Sequence, residues 1–155
     1  MIDIKLLEQL CLCNGISGDE GNVRNLIINE IKDCADDIKT DNLGNLIVFK
    51  KGKKSAKSKL MVSAHMDEVG LMVTDITSDG YLKFDEVGGI DRRVLPGKRV
   101  CVGRNGLNGV IGVKPIHLTN GDEKTAVPKM NDMYIDIGAE SREDALKYVN
   151  YGDGI

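Results

Sequence analysis

Residues 63–70 read Ser63-Ala64-His65-Met66-Asp67-Glu68-Val69-Gly70, directly after the apolar Leu60-Met61-Val62. The run Leu60 to Ala64 has the composition of a buried strand, and the character of the chain changes just beyond it. Upstream, helical and strand patterns mix; downstream, short β-like segments are punctuated by glycine. The natural domain boundary therefore falls at about residue 67. The octet also holds one of only two histidines in the chain. On a strand, residues two apart point the same way, so Asp67 can stand beside His65 and accept a hydrogen bond from its ring N–H. That contact would fix the tautomer and present the other ring nitrogen to a metal. The pattern H-x-D equally describes a strand-end histidine held by a neighbouring acid, and from these two residues both readings stand.

Working outward toward the N-terminus, Ile4, Leu6, Leu7, Leu10 and Cys11 follow helical spacing up to Asn14-Gly15, which predicts a short helix over 3–13. Ser17-Gly18-Asp19-Glu20 has the S-x-x-E spacing of a capping box. Behind it the stripe Val23, Leu26, Ile27, Ile31 and Cys34 predicts a helix over 18–34. Strands are expected at 38–40 and 46–49 about a turn at Asn42 to Asn45. Lys50 to Lys59, with six lysines in ten residues, reads as a solvated connection.

In the other direction, strand-like runs at 71–76, 81–87, 99–102, 110–113 and 133–137 are separated by Gly80, Gly88-Gly89, Pro96-Gly97, Gly106, Gly109 and Gly121. This rhythm suits a small β barrel or sandwich. His117 to Met130 carries turn formers without apolar periodicity and is expected to be a loop that moves. Ser141 begins a helix in which Ala145, Leu146 and Val149 face inward.

Composition removes several classes of function. The 155 residues carry 21 basic and 24 acidic side chains, a net charge of −3 with no basic stripe, so neither nucleic acid nor an anionic membrane is expected as a partner. With two Phe, four Tyr and no Trp there is little for base stacking. No apolar segment approaches bilayer-spanning length and the N-terminus lacks the form of a signal peptide, which predicts a soluble, cytoplasmic protein. Cys11, Cys13, Cys34 and Cys101 form no CxxC pair and are expected to be reduced, buried and not chelating.

The residues around His65 carry a resemblance. His65-Met66-Asp67-Glu68-Val69-Gly70 is similar to the motif that closes the first metal-binding strand of the M42 metalloaminopeptidases, the glutamyl and tetrahedral aminopeptidases, some of which bear the older label endoglucanase. The likeness continues in order through Gly88-Gly89-Ile90-Asp91-Arg92-Arg93-Val94-Leu95-Pro96-Gly97-Lys98-Arg99-Val100, Gly109 to His117 and Tyr134-Ile135-Asp136-Ile137-Gly138-Ala139. Ser17-Gly18-x-Glu20 and Asp41-Asn42-Leu43-Gly44-Asn45 also resemble family positions.

The resemblance implies a partial α/β metallopeptidase domain over 1–67, followed by an inserted PDZ-like small β-barrel domain for dimerisation over 68–150. Residues 151–155 would begin the return to the peptidase domain. It implies a site for two divalent metal ions, zinc or cobalt, acting on a peptide substrate within a homo-oligomer. His65 matches a metal ligand, and Asp67 the acid that orients it. His117 matches a position away from the metals, and Glu68, on the opposite strand face from Asp67, is a poor candidate for a general base.

The family's remaining ligands and its catalytic Glu lie beyond the part that Tyr151-Gly152-Asp153-Gly154-Ile155 resembles. The chain is therefore expected to be a truncated N-terminal part, inactive alone, with at most weak binding of a single ion. The alternative reading is a non-catalytic oligomerisation or partner-binding module, which turnover would distinguish. Glycoside hydrolysis would need a pair of facing carboxyl groups, and nothing in the sequence singles one out.

Overall fold

Asp41 shows how local chemistry sets the first half of the fold. Its Oδ1 accepts from the backbone N–H groups of Leu43 and Asn45 at 3.0 and 2.9 Å, and its Oδ2 accepts from Asn45 Nδ2 at 2.8 Å. The side chain thus builds the turn between β1 (Asp37–Thr40) and β2 (Leu46–Phe49), which pair antiparallel with Thr40 opposite Leu46. The structure, a computed structural model, describes residues 3–54, 57–115 and 127–155. It divides into two compact units, Met1–Glu68 and Val69–Ile155.

In the first unit, α1 (Ile4–Leu12) starts where Asp3 accepts from the N–H groups of Lys5 and Leu6. No residue of α1 is buried, and Ile4 and Leu12 are 69% and 76% exposed. Helix α2 (Gly21–Ile31) buries only Val23. The capping-box expectation is corrected here: α2 has Glu20 as its N-cap with no side-chain capping bond. Glu20 Oε1 instead accepts from Gly18 N–H at 2.6 Å, and Ser17 bonds elsewhere.

Leu60 to Ala64 is the second correction. These residues form no strand and are exposed, Leu60, Met61 and Val62 at 91%, 87% and 85%. An apolar run becomes a buried strand only where neighbouring strands pair with it and a layer covers it. Among the described residues of this unit, the strands β1 and β2 pair with each other instead.

The second unit is a curled five-stranded antiparallel sheet in the order β3 (Gly70–Ile76), β4 (Leu82–Val87), β7 (Met133–Asp136), β6 (Leu107–Val113), β5 (Arg99–Val102). Alternation places Leu82 and Phe84, Met133 and Ile135, and Ile111 on the buried face. Helix α3 (Arg142–Ala145), capped by Ser141 Oγ accepting from Asp144 N–H, adds Ala145 to the same core, and Val149 joins it from the segment that follows the helix. Leu146, expected to face inward, is 40% exposed. The helix is one turn long, and that turn buries only Ala145.

Residues 152–155 belong to this unit and run along the outer edge of β3. Val73 N–H donates to Asp153 O and Gly152 N–H to Val73 O, while Leu71 and Ile155 exchange both backbone bonds. The tail thereby occupies backbone groups that an edge strand would otherwise leave open.

The cysteines are a third correction. Cys11, Cys34 and Cys101 are exposed thiols and Cys13 is half-buried. Cys11 lies on a helix that buries nothing, and Cys101 lies on edge strand β5 between Val100 and Val102, pointing away from the core that Val102 enters. No described helix is long and apolar enough to cross a membrane. The expected loop at His117 to Met130 lies largely outside the described residues, as does His117 itself.

Candidate metal-ligand site

Gly15 begins the site. Its carbonyl oxygen accepts from Glu68 N–H at 2.8 Å, and Ile16 forms a parallel bridge with Glu68. A side chain could not fit at Gly15, since a Cβ there would lie 2.5 Å from Val23 Cγ2. Beyond Ile16 the chain turns, with Asp19 N–H donating to Ile16 O at 2.9 Å and Gly18 at φ +94°, in the region that favours glycine. The bridge and the turn together lay Ser17 against Asp67.

Ser17 Oγ donates to Asp67 Oδ2 at 2.5 Å. The other carboxylate oxygen, Oδ1, lies 3.1 Å from His65 Nδ1, and the Asp67 carbonyl oxygen lies 2.9 Å from the same nitrogen. Both partners of Nδ1 are acceptors, so Nδ1 must carry the proton. In the neutral ring the lone pair is then on Nε2. The His65 side chain is 86% exposed, while that of Asp67 is 39% exposed. The Ser17 hydrogen bond above all holds the Asp67 carboxyl below the usual carboxylate range; its own backbone N–H and His65 add to this, and partial desolvation opposes it.

His65 and Asp67 are thus in contact as expected, although the segment is irregular and no strand positions them. Ser17 is the residue that sequence reasoning missed in this role. Its signal was present, since Ser17-Gly18-x-Glu20 was among the family-like blocks, but S-x-x-E is also a helix-start pattern and the local explanation took the serine. A hollow of about 690 Å³ in this unit is lined in part by Ile27, Leu43, Ile47, Met61, His65 and Asp67.

What this geometry fits is one imidazole ligand whose tautomer is set by an acid. Among the described residues no group of three or more His, Cys, Asp or Glu gathers to hold a metal, so these side chains fit part of a metal site and do not form a cage.

A histidine whose ring is oriented by a neighbouring carboxylate is an arrangement that metal-ligating histidines of hydrolases share. The chain belongs to the M42 glutamyl aminopeptidase family, whose model matches residues 44–155. A protein of Acetivibrio thermocellus is 49% identical over 148 residues, which cover 96% of this chain and 42% of that protein. The TET aminopeptidase of a marine-sediment thaumarchaeon superposes with a TM-score of 0.88 at 35% identity, over 97% of this chain and 43% of that one. The TET1 peptidase of Pyrococcus horikoshii, which can assemble into a tetrahedron or a large octahedral shell, superposes with a TM-score of 0.83 at 45% identity, over 98% and 46%. The chain therefore spans less than half the length of these relatives.

Proposed function

We propose that these residues are part of a metal-dependent aminopeptidase that removes N-terminal residues from peptides. In this reading His65 supplies one ligand of a two-metal site. The observation that carries it is the tautomer: Nδ1 of His65 is committed to two oxygens of Asp67, which leaves Nε2 as the nitrogen able to ligate. Divalent zinc or cobalt, once bound, would supply Lewis acidity toward the scissile carbonyl and toward water.

This chain's own residues act by orientation. Asp67 holds the ring and raises the basicity of its outward nitrogen, as carboxylates behind ligating histidines do. Because a working site needs three or more protein ligands and the described residues gather no such group, the 155 residues alone would bind a single ion weakly and turn over no peptide. The further ligands and a general base would come from parts of the family fold outside residues 1–155.

The sheet unit is proposed as the PDZ-like inserted barrel through which copies dimerise and build larger homo-oligomers. The assembling relatives support that reading. The alternative of a purely non-catalytic module would require the His65 and Asp67 arrangement to be incidental.

The test joins residues 1–155 to the remaining length of an M42 relative and follows hydrolysis of a chromogenic aminoacyl substrate with zinc or cobalt. The joined chain should be active, and His65→Ala should lower its rate by more than about 100-fold, with Asp67→Asn costing roughly 10- to 100-fold. A joined chain whose activity is indifferent to His65→Ala would overturn the assignment.

A further inference from the structure

We infer that Ser17 is a positioning residue for the His65 metal ligand, acting through Asp67; the inference rests on the reading of His65 as a ligand. Asp67 has two carboxylate oxygens with different partners. Oδ2 receives the Ser17 hydroxyl, and Oδ1 faces His65 Nδ1. A carboxylate on a half-exposed side chain turns readily about its last torsion, and Ser17 removes that freedom by holding one oxygen. The remaining oxygen is then aimed at the imidazole.

The serine is itself held by tertiary structure. Fifty residues separate it from Asp67, and what joins them is the Gly15 to Glu68 backbone bond and the turn at Gly18. Glu20 contributes by accepting from Gly18 N–H, which secures the turn. The relay therefore runs from the turn before α2, through Ser17 and Asp67, to the ring of His65. Its output is the proton on Nδ1 and the lone pair on Nε2.

Ser17→Ala removes the hydroxyl while leaving the backbone bond. The Asp67 carbonyl still faces Nδ1 in that variant, so the ring is loosened and not released. Nitrogen-15 spectra of His65, recorded with the ring neutral and with the exposed thiols capped by iodoacetamide, read the tautomer directly. In the unsubstituted chain the Nδ1–H form should predominate. In Ser17→Ala the Nε2–H form should rise several-fold, and zinc affinity, read from the His65 resonances themselves, should fall by roughly tenfold. Ser17→Thr, which keeps a hydroxyl, should restore both.

An unchanged tautomer in Ser17→Ala overturns the inference even if zinc affinity falls, since a merely structural serine could loosen the site without touching the ring. If zinc leaves the histidine resonances of the unsubstituted chain unmoved and binds equally well to His65→Ala, the ligand assignment itself fails. The two failures are thereby distinguishable.

Discussion

The backbone N–H of Glu68 donates to the carbonyl oxygen of Gly15 at 2.8 Å, and around this bond the N-terminal turn and the His65 segment come together. Gly15→Ala would drive a Cβ to 2.5 Å from Val23 Cγ2, and Val23 is buried and β-branched, with little room to yield. The substitution should destabilise the first unit by about 1–3 kcal/mol, as overpacking does. Urea denaturation followed by signals from residues before Val69 measures this. An unchanged midpoint would mean that the approach at Gly15 is looser than the structure has it.

The second unit should depend on its interior. Ile135 lies on β7, between β4 and β6, and is fully buried. Ile135→Ala is expected to cost about 2–5 kcal/mol, the range for deleting a large buried aliphatic side chain. Thermal unfolding checks it, and a loss below about 1 kcal/mol would mean that the core does not close around β7.

Asp91 offers a test by pH. Arg93 holds its carboxyl down at about 2, against an ordinary value of 3.8, through a side-chain ion pair with Nη2 at 2.6 Å and a bond from the Arg93 backbone N–H. A depressed folded value means that the pair favours folding above the ordinary value, and that this contribution is lost as pH falls from 3.8 through about 2. Carbon-13 titration should find Asp91 protonating well below neighbouring carboxyls, and Arg93→Gln should return it toward them. The pair is solvent-exposed, so its influence on total stability should be small.

How legible each part was in the sequence follows from where its partners lie. The β1–β2 hairpin could be read because Asp41 and Asn45 build its turn locally. The five strands of the sheet could be read because alternating residues such as Leu82 and Phe84 find their partners within the same unit. Leu60 to Ala64 was misread because composition reports what a segment could bury, whereas burial needs a neighbour. The Ser17 to Asp67 bond was hidden for a different reason: one serine satisfies a local helix-start pattern and a contact fifty residues away equally well, and only the folded backbone decides between them. His65 and Asp67 were legible as a pair because two residues separate them, in a strand or out of one.

The exposed run Leu60-Met61-Val62 carries a consequence for association. Contiguous apolar surface promotes contact between copies, so the chain should self-associate as its concentration rises. Replacing Met61 and Val62 together by serine should lower the weight-average mass in sedimentation at high concentration. A double variant with the same mass profile would assign self-association to the sheet unit instead.

The measurement that bears most directly on the account is which atom of the protein takes up zinc. With thiols capped, a zinc titration followed by long-range nitrogen-15 correlation should shift Nε2 of His65 and leave Nδ1 protonated, as the two acceptor contacts at 2.9 and 3.1 Å require. Binding should be weak and should vanish in His65→Ala. A zinc-dependent shift at Nδ1, or none at His65 while the metal binds elsewhere, would contradict the assignment of this histidine and its aspartate to a metallopeptidase site.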